Sequence, residues 1–144
     1  MDKFTFRVPT DRLYHPDGLW VLAENGAGSL VRVGLTDYLQ QRSGDAAFVT
    51  VRPAGTHLAR GDDLAELETL KVSLALPAPV SGTVVEADAA LAASPELVNQ
   101  DPYGDGWLAR LEPSQWAVER AALLTPEVYF EHMRREAAIE VGQT

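Results

Sequence analysis

The chain has no cysteine. That excludes a disulfide framework, a thiol nucleophile and a thiolate metal site, so any redox chemistry must come from an attached group. Lysine is nearly absent as well: Lys3 and Lys71 stand against ten arginines. Lys3 lies in the N-terminal fringe, which leaves Lys71 as the side-chain amine that a folded body can offer. No stretch approaches the roughly 20 apolar residues of a membrane span, and Met1–Val8 is too poor in apolar residues for a secretory signal. A cytoplasmic protein without membrane contact is expected. Clustered basic residues are also lacking, and a formal net charge of −9 argues against nucleic acid. The histidines His15, His57 and His132 lie far apart and lack the short spacings of zinc sites, so no metal is implied. There is no Gly-x-Ser-x-Gly elbow, no Gly-rich phosphate loop and no dinucleotide fingerprint, and no catalytic residue is assigned.

What is present reads as β-rich. Phe4–Val8, Leu19–Leu22, Leu30–Val33, Ala46–Val51, Asp63–Thr69, Val72–Leu76, Thr83–Ala87 and Trp107–Leu111 have strand character, punctuated by Gly18, Gly26, Gly28 and Gly44. Thr36 is placed to cap a helical turn through Gln41, Asp88–Ala93 is a short helical candidate, and residues 99–106 are turn-forming throughout. Thr125-Pro126-Glu127 supplies a cap, a first-turn proline and a first-turn acid for a helix to about Ala138, with 139–144 as a frayed tail. No linker divides residues 1–144, which are expected to form one domain. Gly44-Asp45 before Phe48–Val51 and Gly61-Asp62 before Leu64–Thr69 hint at a duplication in which two similar β-halves pack together.

Lys71 sits between two of these strands, in Glu68-Thr69-Leu70-Lys71-Val72. The period-2 run Val72, Leu74, Leu76 leaves this point as a strand, so Lys71 projects from a hairpin tip. The tip breaks a local rule, because tight hairpins favour Gly-containing pairs that reach positive φ, whereas here apolar residues flank a cation. Rules of this kind are broken where function demands it. A lysine amine is the natural attachment point for an acyl-linked cofactor, since acylation converts a fixed cation into a neutral, flexible tether. Asp62, Asp63, Glu66 and Glu68 concentrate negative charge just upstream, where carboxylates favour the ammonium over the reactive amine.

Several blocks together resemble the H-protein family of the glycine cleavage system: Val33-Gly34-Leu35-Thr36-Asp37-Tyr38, Gly44-Asp45-Ala46-Ala47-Phe48-Val49, Glu68-Thr69-Leu70-Lys71, Pro79-Val80-Ser81-Gly82, and Ser94-Pro95-Glu96-Leu97-Val98-Asn99-Gln100-Asp101-Pro102-Tyr103-Gly104-Asp105-Gly106-Trp107. They occur in the family's order over roughly residues 13 to 130. The resemblance implies a mainly β, barrel-sandwich hybrid fold of the lipoyl-domain type, with short helices and a C-terminal α-helix. It implies lipoate in amide linkage on Lys71, with Glu68 part of the context recognised by the lipoate-attaching ligase or transferase. The implied role is a non-catalytic carrier, whose arm receives an aminomethyl group on a glycine decarboxylase, yields it to an aminomethyltransferase, and is reoxidised by dihydrolipoyl dehydrogenase.

Two departures from the family pattern stand out. Asp17-Gly18-Leu19-Trp20 replaces a His-Glu-Trp type segment, and Val72-Ser73-Leu74-Ala75-Leu76 replaces small residues followed by a Ser-Asp pair. In these respects the chain looks similar to the lipoate-binding proteins of a heterodisulfide-reductase-like sulfur-oxidation system, which leaves the client complex open. A biotin carrier would flank its lysine with methionines, where this chain has Leu70 and Val72, and an unmodified β-rich adaptor would make Lys71 incidental.

Overall fold

The structure, a computed structural model, describes residues 5–24 and 28–142, with side chains through residue 136. Among the described residues, nine strands form two antiparallel sheets. The larger contains β1 (Leu13–His15), β2 (Leu19–Ala23), β3 (Val31–Leu35), β5 (His57–Leu58), β8 (Gly82–Ala87) and β9 (Ala109–Pro113), in the spatial order β1-β2-β3-β9-β8-β5. The smaller contains β4 (Ala46–Val51), β6 (Asp63–Thr69) and β7 (Ser73–Pro77), in the order β4-β6-β7. Helices α1 (Asp37–Ser43), α2 (Ala90–Ala93), α3 (Leu97–Gln100) and α4 (Trp116–Glu119) are short, and α5 (Pro126–Gly142) closes the chain. This is the mainly β sandwich with a C-terminal helix expected from the sequence.

Strand alternation decides which face enters the core. Val31, Val33 and Leu35 of β3 are buried, as are Leu67 of β6 and Leu76 of β7, while Glu66, Glu68, Ser73 and Ala75 face outward. A register shift between Asp63 and Ala65 lets both Leu64 and Ala65 turn inward at the start of β6. These residues meet Val84, Leu108 and Leu111 in one apolar core. A second cluster, Tyr14, Trp20, Tyr38, Tyr129 and Met133, glues α5 to β1, β2 and α1. The Tyr129 hydroxyl donates to Thr36 Oγ1 at 2.7 Å, and the Tyr14 and Tyr129 rings stack at 4.5 Å.

Several sequence expectations need correction. Phe4 and Gly26 lie outside the described residues, and residues 5–8 form no strand. Their backbone groups are taken up by side chains instead: Arg7 N–H donates to Asp37 Oδ2 at 2.8 Å, Gln41 donates to the Thr5 carbonyl, and the Tyr103 hydroxyl donates to the Arg7 carbonyl. Residues 99 and 100 are helical, as the end of α3, rather than turn. Helix α5 continues past the Ala138 expected as its end, to Gly142; residues 143–144 lie outside the described set. The two segments read as a duplication do not belong to opposite halves, because β4 and β6 pair with each other in one sheet.

Candidate functional site

β6 and β7 pair in register down to Glu68 opposite Ser73, and Lys71 stands exposed at the turn that joins them. Leu70 beside it is fully exposed. No described non-glycine residue takes a positive φ, so the turn does not use the glycine-type conformations. The Thr69 side chain replaces them. Its hydroxyl oxygen accepts from the N–H groups of Lys71 and Val72, each at 3.0 Å, while Thr69 N–H donates to the Val72 carbonyl at 2.9 Å. A side-chain acceptor reaching backbone two and three residues ahead stabilises a tight turn without left-handed backbone.

The tip rests on the end of α1. Thr36 caps that helix by accepting from Leu39 N–H, as the sequence predicts, and Gly44 ends it at φ 92°, a conformation costly for any side-chain-bearing residue. A Cβ at Gly44 would lie 3.2 Å from Lys71 Cδ, so the glycine both stops the helix and clears space for the lysine stem. The Thr69 hydroxyl donates to the Ser43 carbonyl at 2.8 Å, and the Arg42 carbonyl lies 3.4 Å from Lys71 Nζ, a long and weak contact. Asn99 of α3 holds this support from below. It donates to the Gly44 carbonyl at 2.9 Å and to Gln40 Oε1 at 3.1 Å, and accepts from Ala46 N–H at 2.8 Å.

A groove of about 670 Å³ begins at this tip. β7 supplies one wall with Leu74, Ala75 and Leu76, preceded by Val72; α1 supplies Leu39, Arg42 and Ser43; α5 supplies His132, Met133 and Glu136. Leu39, Leu76 and Met133 give it an apolar, buried floor, with charged groups at the rim. Its size falls within the range of small-molecule pockets. Within it, Ser43 is 2% exposed and its hydroxyl has no hydrogen-bond partner among the described residues.

The acidic residues upstream of Lys71 are strung out rather than gathered. β6 rises about 3.3 Å per residue, which puts Asp63 roughly 20 Å from Thr69, and Asp62 instead accepts from Ala59 N–H in its own loop. Glu68 remains near, on the outward face between Phe48 of β4 and Ser73 of β7. His15, His57 and His132 stay apart, and among the described residues no three His, Cys, Asp or Glu side chains converge on a metal position. Tyr103 and Trp107 anchor their loop by packing: the Tyr103 hydroxyl accepts from Asp37 N–H at 3.0 Å, and Arg32 lies over the Trp107 ring.

The hairpin-tip lysine with a groove at its foot coincides with a family match. Residues 12–136 match the family model described as glycine cleavage H-protein. The chain belongs to the glycine cleavage H-protein family. It is 41% identical to a glycine cleavage system H protein of Thermus thermophilus over 130 residues, spanning 90% of this chain and 98% of that one. A second H protein, from Beutenbergia cavernae, is 44% identical over 105 residues, which are 73% of this chain and 82% of that one. The crystal structure of an H protein from Mycobacterium marinum superposes with a TM-score of 0.74 at 34% identity, covering 85% of this chain and 95% of that one. The sulfur-oxidation alternative left open by the segments Asp17–Trp20 and Val72–Leu76 is not favoured by these H-protein matches.

The sequence did not single out Thr69, Ser43 or Asn99 as site residues. Thr69 and Asn99 lie inside blocks that carry the family resemblance. Ser43 precedes one of those blocks, and only its burial beside the groove marks it.

Proposed function

We propose that this chain is a carrier component of the glycine cleavage system, not a catalyst, with lipoate held in amide linkage on Lys71. The observation that carries the assignment of the lysine is its presentation: Lys71 is exposed at a turn pinned by Thr69, on a support made by Ser43, Gly44 and Asn99, next to an apolar groove. When bound, lipoate supplies a dithiolane on a long arm, able to take up an aminomethyl group at one enzyme and release it at the next. The protein's own part is mechanical. The two-strand arm β6–β7 fixes where the attachment point stands, and Gly44 keeps its stem clear of Cβ contact. Leu39, Leu74, Leu76 and Met133 offer apolar cover that excludes water from whatever lies along them.

The partners proposed are the glycine decarboxylase, the aminomethyltransferase and dihydrolipoyl dehydrogenase, with a lipoate-attaching ligase or transferase acting first. Glu68, exposed and three residues before Lys71, is placed for that enzyme to read. The described residues contain no helix long and apolar enough to cross a membrane, and a cytoplasmic setting is proposed. Residues 1–144 are proposed to act as one carrier domain. Complementation of a strain lacking its H protein tests the client assignment. Growth dependent on glycine cleavage is expected with this chain and not with Lys71→Arg; failure of the fully lipoylated chain to rescue would place it in another system.

A further inference from the structure

Three successive residues at the end of α1 meet the Lys71 hairpin. The Arg42 carbonyl faces Nζ at 3.4 Å, the Ser43 carbonyl receives the Thr69 hydroxyl at 2.8 Å, and Gly44 leaves room for the stem. The middle residue carries the anomaly. Ser43 is 2% exposed, lines the groove, and its hydroxyl has no partner among the described residues. A buried hydroxyl without a partner is unfavourable, and native folds leave few of them. A serine at a helix end commonly folds back onto a carbonyl of the preceding turn. Ser43 makes no such bond. Its groove neighbours Leu39, Leu76 and Met133 are apolar, so an apolar residue here would have satisfied the packing.

We propose that Ser43 is a positioning residue for the acylated lysine: its hydroxyl donates to the carbonyl of the amide formed on Lys71, while the Arg42 carbonyl accepts the N–H of that amide. This rests on the carrier function proposed above. The amide is the group selected because it is the polar part of the arm nearest Nζ, and the hydrocarbon beyond it offers nothing to a hydroxyl. An amide presents one donor and one acceptor; the Arg42 carbonyl near Nζ is an acceptor, and the next residue, Ser43, which lines the groove that begins at the tip, carries an unused donor. Held at both atoms, the first joint of the arm is aimed along Leu39, Leu74 and Leu76 instead of swinging freely from the tip.

The test exploits the two lysines of the chain. In protein labelled with ¹⁵N at lysine Nζ and fully lipoylated, as verified by mass, the amide Nζ–H of Lys71 is a single resolved signal whose hydrogen exchange can be followed by NMR. Exchange slower than in free lipoyl-lysine is expected for the wild type. Ser43→Ala releases the amide carbonyl, so the joint leaves the Arg42 carbonyl more often, and the substitution is expected to accelerate exchange by about three- to tenfold, the worth of one hydrogen bond, while the melting temperature of the unmodified Ser43→Ala chain does not fall. Ser43→Thr, which keeps the hydroxyl, is expected to retain slow exchange. Equal exchange in wild type and Ser43→Ala would overturn the role of Ser43 and leave the carrier function standing. A fall in melting temperature of the same size in both the unmodified and the lipoylated Ser43→Ala protein would overturn it too, by showing a purely structural serine. Absence of any lipoyl group on Lys71 after treatment with a lipoate-attaching enzyme would overturn the carrier function itself, and this proposal with it.

Discussion

The Thr69 hydroxyl donates to the Ser43 carbonyl at 2.8 Å, tying the tip of one hairpin to the end of a helix 26 residues earlier in the chain. The same oxygen accepts from Lys71 and Val72 N–H. One side chain therefore sets both the shape of the turn and its attachment to the body. Thr69→Val keeps the β-branched shape and removes all three bonds. Because the tip is exposed and water replaces part of what is lost, the expected destabilisation is about 1 kcal/mol. Hydrogen exchange at the Lys71 and Val72 amides should accelerate well beyond that of the remaining β6–β7 amides, and Thr69→Ser should restore most of the protection. Unchanged exchange at both amides in Thr69→Val would show that the turn holds without the hydroxyl.

Asn99 makes three hydrogen bonds to residues more than 50 positions away in sequence, at Gln40, Gly44 and Ala46. Asn99→Ala should cost about 1–3 kcal/mol, because the Gly44 carbonyl and Ala46 N–H lose a partly buried partner. Denaturant unfolding measures the loss, and exchange at the Ala46 amide locates it. A variant as stable as the wild type would refute the clamp.

Gly34 is required by space. A Cβ there would lie 2.5 Å from Trp20 Cζ2, and Trp20 is fully buried, with its indole N–H donating to the Pro102 carbonyl at 2.9 Å. Arg12 covers the ring at 4.6 Å, so it has little freedom to retreat. Gly34→Ala is expected to destabilise by about 1–3 kcal/mol through overpacking, read as a lower denaturant midpoint with an unchanged slope. A neutral or stabilising result would mean that the Trp20 ring shifts freely.

His15 gives the protein a pH-dependent element. Burial pushes its imidazole below the usual range; the Asp17 carboxylate opposes this in part, and Arg60 reinforces it. In the neutral form, His15 Nδ1 accepts from Asp17 N–H at 3.0 Å, a bond that protonation at Nδ1 removes. The folded state thus binds the proton less readily than the unfolded chain. The contribution of His15 is fully present above its unfolded pKa of about 6.5 and is lost as pH falls through the lower folded value. Melting temperature should decline between pH 7.5 and 5.5, with a shallower decline in His15→Gln. Identical slopes in the two proteins would exclude His15 as the source.

Much of this architecture was legible in the chain where local rules set it. The Thr36 cap, the Thr125-Pro126 helix start and the alternation of β6 and β7 each depend on neighbours within a few residues, and each stands in the structure. Residues 5–8 carry a strand-like pattern but form no strand, because the groups that bind their backbone, Asp37, Gln41 and Tyr103, are 30 to 96 positions away and leave no local signal. The turn at Lys71 departs from the glycine rule because the Thr69 hydroxyl, not the backbone, supplies what glycine supplies elsewhere. Lys71 itself was visible through its rarity and its family blocks. The groove was not, since it is assembled from α1, β7 and α5, and no single segment carries its pattern.

The most direct measurement is the intact mass of the protein purified from cells with an active lipoate-attaching system, with peptide mapping across Lys71 in the wild type and in Lys71→Arg. A lipoyl-sized increment on the peptide containing Lys71, absent from the arginine variant, is the predicted result. An unmodified Lys71, or the same increment retained in Lys71→Arg, would contradict the assignment of this lysine as the attachment point.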